Sequence, residues 1–241
     1  MPKVALHPRL LLAYSQVTDG NMDFRFGTPK EVRQHRQQFF ATLKQNYRDA
    51  IEAAQIHFDR LLVLNSENGK MWRGMNVTGV DGFVTTEPSV IMMIRTADCV
   101  PLVLYDPAHH AMALLHAGWR GTVKGMATTG LARLVKEYQT DPRQVLVWLG
   151  PAARVCHLTF PEIPSEFEHE LWQPYLKINF QSVAVDLIAY IKATLHQAGV
   201  KKSSMVDSHL CTVELPELFS HRRSQADGSP AGRLAVVAKL K

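Results

Sequence analysis

Three residues in the first half of the chain carry side chains that bind metal ions or move protons. Each stands beside an apolar run: His57 in "AAQIHFDRLLVLN", Cys99 in "TADC" and His116 in "LLHAGWRGT". An imidazole at the end of a buried strand is costly unless its nitrogens are satisfied, so His116 needs either backbone partners or a chemical task. Two tasks fit. A histidine, a cysteine and a second histidine form a three-ligand set for zinc with the fourth position open, the arrangement of a catalytic site. Alternatively, Cys99 is a nucleophile activated by His116 without a metal. The residue types alone leave both open.

The neighbouring residues extend the site. Gly118 and Gly121 allow a tight turn from the strand into a helix. Arg120 falls near that helix's start, where free backbone N–H groups favour anions and a guanidinium can clamp phosphate at two points. Trp119 reads as packing. Asp81 in "VDGFVT" and Asp98 beside Cys99 are the nearest carboxylates. Either can orient a ligating imidazole or act as general base, and Asp81 is expected to reach substrate.

Stepping from these residues to the elements that position them, the middle of the chain is rich in strands. Apolar runs at 61–65, 82–86, 89–94, 101–106 and 111–117 are bounded by Gly, Pro or Asp, as in strands covered on both faces. "QVLVWLGP" is a further one. Thr28 and Glu31 form a capping box with Pro29 at the first helical position, which predicts a helix over 29–47. Helical spacing of Val123, Ala127, Leu131, Leu134 and Tyr138 predicts a second helix after Gly121, and the 183–198 segment, ending at Gly199, a third. Strands alternating with long helices predict an α/β fold, one layered domain over residues 1–241 with mostly buried sheets flanked by helices. Cys99 and His116 are expected at the ends of strands in one sheet, at a common rim.

Bulk properties remove other classes. Of 241 residues, 46% are hydrophobic and 20% charged, wrong for a disordered chain. No run reaches the roughly 18 apolar residues of a membrane span, and the reading is a cytoplasmic protein. The net charge of +5 is scattered rather than interleaved with aromatics, so no nucleic-acid groove is expected. Three cysteines, Cys99, Cys156 and Cys211, contain no CxxC pair, which excludes a zinc finger and a disulfide framework.

"TADC" followed by "HAGWRGT", with "QIH" upstream, "LGP" downstream and "CT", "SHRRS" and "GR" near the end, resembles the multicopper polyphenol oxidase or laccase-domain family, from about Tyr14 to Leu240. Its members are described as purine nucleoside phosphorylases with adenosine deaminase activity. The resemblance implies a zinc site at His57, Cys99 and His116, with Arg120, Arg222, Arg223 and Arg233 in or beside the pocket, and nucleoside and phosphate as the small-molecule partners of a monomer or weak homodimer. An amide hydrolase editing a cell-wall peptidoglycan precursor, through Cys99 or zinc, is the alternative. Copper is not favoured, because no H-x-H spacing is present and His109–His110 lies in a turn. The sequence departs from the family at Phe58, where Gly is common and could take a positive φ at little cost, so that the loop beside His57 is expected to differ in conformation; after Cys156 and His157, where the usual acidic residue is missing; and in the N-terminal glycine- and serine-rich stretch, which survives only as "YSQVTDGNMDFRFG".

Overall fold

The computed structural model describes residues 3–241. In chain order its strands and helices are β1 (Leu10–Tyr14), α1 (Pro29–Thr42), β2 (Ala50–Ala54), β3 (Leu61–Leu64), α2 (Ser66–Met71), β4 (Asn76–Thr78), β5 (Gly82–Thr85), β6 (Ile91–Thr96), β7 (Val100–Asp106) and β8 (Ala111–Ala117). There follow α3 (Trp119–Val123), α4 (Met126–Tyr138), β9 (Leu146–Leu149), β10 (Thr159–Phe160), β11 (Leu176–Ile178), β12 (Val183–Val185), α5 (Leu187–Gln197), β13 (Met205–Asp207), α6 (His221–Asp227) and β14 (Leu234–Leu240).

The period-2 alternation of the strands explains the layering. In β7, Val103 and Tyr105 point to one face while Val100, Leu102 and Leu104 point to the other; in β8, Met112 and Leu114 oppose Ala111, Ala113 and Leu115. The first face meets Leu12, Ile51, Met92, Ile94 and Val236 of a second sheet. The other is covered by Leu131 and Leu134 of α4 and Ile188 and Ile191 of α5. Phe39 and Phe40 of α1 cover the far face of the second sheet, on Ile91, Met93 and Val237. The result is an α/β fold of four layers: helix, five-stranded sheet, six-stranded sheet, helices. The sheet orders are β1-β14-β6-β2-β4 and β13-β9-β7-β8-β5-β3, with a small third sheet β10-β12-β11.

Three boundaries differ from expectation. The first helix stops at Thr42, five residues before Tyr47, with Lys44 in left-handed backbone at φ 56°. The second is broken by Gly125 (φ 85°), which separates α3 from α4. The third starts at Leu187, where the Asp186 side chain accepts from Ala189 N–H; the apolar residues Val183–Val185 before it form β12 instead. Among the described residues, no helix is long and apolar enough to cross a membrane.

Candidate metal centre and anion-lined cavity

His116 is the penultimate residue of β8 and continues the parity of Met112 and Leu114, so it points between the two large sheets at the sandwich rim. Cys99 sits in the connection that carries the chain from β6 in the five-stranded sheet to β7 in the six-stranded one, and His57 in the connection from β2 to β3, which makes the same crossing. The strands flanking Cys99 and His116 therefore do not all share one sheet, as expected from sequence; the site forms where the chain crosses between sheets. The ligand atoms of His57, Cys99 and His116 lie within 4.8 Å of one another, and the two imidazoles meet edge to face at 4.9 Å between centroids.

Asp81 is the organising residue. It is fully buried, and its carboxylate accepts from His116 Nδ1 at 2.9 Å and from the backbone N–H of Ile56 (3.2 Å), His57 (2.8 Å) and Phe58 (2.9 Å). One carboxylate thus turns the free nitrogen of His116 toward Cys99 and pins the loop that carries His57. That loop needs pinning: His57 itself has φ 60°, a conformation that costs a non-glycine residue energy. The positive φ falls on His57 and not on Phe58, so the departure at Phe58 carries no backbone strain. The Phe58 ring instead receives Lys124 Nζ at 4.2 Å from its centroid.

The electrostatics favour a thiolate at Cys99. Burial pushes the Cys99 thiol up, but the His116 charge and hydrogen bonds from His116 and His57 bring it down to about 6. Burial likewise opposes protonation of His116, while the Cys99 charge and the Asp81 hydrogen bond raise it to about 9. Burial also works to raise Asp81, and its bonds from His116 and the loop N–H groups hold it below the usual carboxylate range. The site thus holds a thiolate, the anionic form that ligates metals. It also has room: a Cβ at Gly118 would stand 3.0 Å from Cys99 Sγ and 3.2 Å from His57 Cδ2. Gly118 has φ −69°, so glycine is needed here for space and not for its conformational freedom. A thiolate and two imidazoles converging on such a recess fit a metal ion of the zinc class once His116 gives up its proton to the solvent, as ligation requires.

The cluster opens on a cavity of about 370 Å³. Arg25, Arg95, Arg120, Arg222 and Arg233 line it. Arg95 is held by Asp23 (2.8 Å) and Glu52 (2.6 Å), and Arg25 by Asp23 (2.6 Å). Arg120 lies over the Trp119 ring at 4.1 Å and Arg233 over Phe26 at 4.3 Å; Arg222 donates to the Thr159 carbonyl. Among the described residues none of these last three guanidiniums forms an ion pair with a carboxylate, although the charge of Asp98 reaches Arg222 and those of Asp23 and Asp98 reach Arg233 from farther off. Burial pulls Arg222 and Arg233 below the usual guanidinium range, the signature of cations held out of water. The helix that follows Gly118 has only five residues, so the arginines, rather than a helix dipole, make the cavity positive.

Two residues expected at the substrate do not reach the cavity. Asp81 is spent behind His116, and Arg223 donates to the carbonyls of Thr212, Val213, Leu215 and Leu218, bracing the loop before α6. Asp98, in left-handed backbone at φ 85°, accepts from Thr212 Oγ1 (2.6 Å) and Arg222 N–H (2.7 Å), so both its oxygens hold structure beside Cys99. Trp119 packs on Phe160 and Phe167, as expected, while one side of it faces the cavity. Gln55, Arg25, Arg95 and His221 also line the cavity and were not singled out from sequence. Gln55 and His221 stand within the quoted "QIH" and "SHRRS" motifs, which carried the signal for them.

A layered α/β sandwich with a His–Cys–His cluster on a cationic cavity is the class of protein these features define. The chain belongs to the multi-copper polyphenol oxidoreductase laccase family, which it matches over residues 14–241. Similar proteins include purine nucleoside phosphorylase from Bacteroides thetaiotaomicron, 32% identical over 65% of this chain and 59% of that protein. Purine nucleoside phosphorylase SCO2081 from Streptomyces coelicolor is 34% identical over 67% of this chain and 66% of its own length. The chain thus spans less than two thirds of these relatives. The crystal structure of YlmD from Geobacillus stearothermophilus has the same fold, with a TM-score of 0.86 at 24% identity, covering 99% of this chain and 94% of that one. Hypothetical protein YfiH of Bacillus licheniformis aligns with a TM-score of 0.82 at 22% identity, over 96% and 93%.

Proposed function

We propose that this chain catalyses phosphorolysis of purine nucleosides, with deamination of adenosine as a second activity, and that His57, Cys99 and His116 hold zinc. The observation that carries the reading is one cavity in which Arg120, Arg222 and Arg233, outside any carboxylate ion pair among the described residues, stand beside that cluster. Guanidiniums crowded in a half-buried space repel one another until an anion joins them, and phosphate accepts their planar forks at two points. The names of the relatives point the same way.

In phosphorolysis a phosphate oxygen forms a bond to C1′ of the ribose as the bond from C1′ to the purine breaks. The electron pair leaves with the base, which takes up a proton, and the products are free purine and ribose 1-phosphate. The arginines hold phosphate in reach of C1′ and offset its charge. Trp119, with one side on the cavity, gives the wall an apolar surface. Asp81 keeps His116 in one tautomer and one orientation. Zinc, when bound, supplies Lewis acidity at this wall, the chemistry that replacement of the purine amino group by water requires. A specific observation favours a second reading: the thiolate of Cys99 beside a protonated His116 is the resting state of a cysteine nucleophile, which would cut an amide such as that of a peptidoglycan precursor.

Incubation of adenosine and inosine with the protein, with and without phosphate, followed by chromatography, tests the proposal. Free base and ribose 1-phosphate are expected only with phosphate, inosine from adenosine without it, and neither from Cys99→Ala, whose zinc content falls. Arg120→Ala is expected to raise KM for phosphate more than KM for nucleoside. No turnover of either nucleoside, with release of an amino acid from a muramyl dipeptide precursor, would overturn the proposal in favour of the amidase.

A further inference from the structure

Away from the cavity, a second group of ligand-type side chains comes together. Cys156, His157, Cys211 and Glu214 place one ligand atom each within 4.8 Å of all the others. Cys156 Sγ lies 3.2 Å from Glu214 Oε1, and His157 Nδ1 lies 3.1 Å from Cys156 Sγ, 3.4 Å from Glu214 Oε1 and 3.6 Å from Cys211 Sγ. One imidazole nitrogen carries either one proton or one lone pair, so hydrogen bonding uses only one of these three approaches at a time. A shared ion uses them all.

The distances are those of a coordination shell. Zinc bonds of about 2.3 Å to sulfur and about 2.0–2.1 Å to nitrogen and oxygen give a tetrahedron with edges of roughly 3.3–3.8 Å. The four separations above, from 3.1 to 3.6 Å, need little adjustment to become such edges. The backbone holds the ligands in place. Cys156 and His157 lie in a turn closed by His157 N–H and Leu158 N–H on the Arg154 carbonyl. Cys211 and Glu214 lie in a second turn, closed by Leu215 N–H on the Cys211 carbonyl. A bridge between Ala152 and Cys211 joins the two segments, and the Arg223 fork braces the second.

We propose that Cys156, His157, Cys211 and Glu214 form a second, structural zinc site. Four protein ligands leave no open position, unlike the three at the cavity, and closed shells are the structural kind. Cys156 and Cys211 each release a proton on binding, as ligating thiols do. The ion would staple residues 152–158 to 211–215, and Thr212 of the second segment holds the Asp98 carboxylate beside Cys99. The staple thus supports one wall of the cavity without entering it.

The test is metal stoichiometry on the full chain, loaded with Zn²⁺ and freed of excess. Two zinc per chain are expected for the wild type, one for Cys156→Ser and one for Cys99→Ala. Cobalt isolates the second site: in Cys99→Ala, Co²⁺ is expected to give a thiolate charge-transfer band, lost when Cys156→Ser is added. Glu214→Gln, at an exposed position, is expected to weaken Co²⁺ binding there by about tenfold or more without unfolding the chain. The proposal is overturned if Cys99→Ala binds no Co²⁺ with that band, if Cys156→Ser keeps the wild-type zinc content, or if Cys156 and Cys211 form a disulfide in zinc-loaded protein. None of these readouts depends on nucleoside turnover, so failure here and failure of the phosphorylase reading are separable.

Discussion

A single methyl group at residue 118 would reach the chemistry of the cavity directly. The Cβ of an alanine there would stand 3.0 Å from Cys99 Sγ and 3.2 Å from His57 Cδ2, closer than almost any side chain packs. The backbone at this position is ordinary, so Gly118→Ala should fold. Its ligand atoms must spread, however, and we expect zinc affinity at the cavity to fall by about tenfold to a hundredfold, the range seen when ligand orientation is disturbed. Competition with a chromogenic chelator measures it; unchanged affinity would mean that the recess is not the metal position. At this scale much of the site was legible, because His57, Cys99 and His116 have the right types beside apolar runs. The single carboxylate that organises them was legible only as a nearby acid. Asp81 touches three consecutive N–H groups 23 to 25 residues upstream, and a contact of that kind leaves no pattern in sequence.

Between elements, the cationic cavity rests on a buried ion network. Arg36 of α1 pairs with Glu52 of β2 at 2.7 Å, Glu52 with Arg95 of β6 at 2.6 Å, and Arg95 with Asp23 at 2.8 Å. Removing one charge from such a chain leaves the others buried and unpaired, so Glu52→Gln should destabilise the fold by about 3 kcal/mol or more. Arg73→Gln, which breaks the surface pair with Asp49, should cost no more than about 1 kcal/mol. Urea unfolding of both variants checks the contrast. None of this network was legible, since its members come from a loop, a helix and two strands. The element boundaries failed for a related reason. Val183–Val185 has the same apolar character whether it starts a helix or edges a sheet, and only its pairing with β10 and β11 decides.

For the whole molecule, the layers were legible in the continuous apolar runs, but the order of strands was not. β1 and β14 lie far apart in the sequence and pair along the whole of β1, Leu10 with Leu240 through Tyr14 with Val236. Sensitivity to acid is also a property of the whole. Burial pushes the Asp207 carboxyl up, yet hydrogen bonds from Arg154, Lys192 and the His209 N–H hold it well below the usual carboxylate range. A carboxyl depressed in the folded state adds stability that is complete above its unfolded value, near 3.8, and is lost as pH falls below it. Asp23, lowered by Arg25 and Arg95 against its burial, has the same sign. Stability should therefore drop steeply below about pH 4. Asp207→Asn should lie lower at neutral pH and show a shallower drop in acid, as read from urea midpoints between pH 2 and 7.

The position of β14 has a consequence for the order of events during synthesis. Residues 234–240 lie between β1 and β6, bonded to both. Until they leave the ribosome, β1 has no partner strand and β6 lacks one of its two neighbours, with their backbone groups unpaired and the apolar faces of Leu12, Met92 and Ile94 uncovered. Domains otherwise fold from the N-terminal side as they emerge, whereas here the interior between the sheets cannot close before residues 234–240 are available. Pairings this distant in sequence form slowly, and open strand edges pair with other chains. The nascent chain is thus open to such pairing from the synthesis of β1 until that of β14.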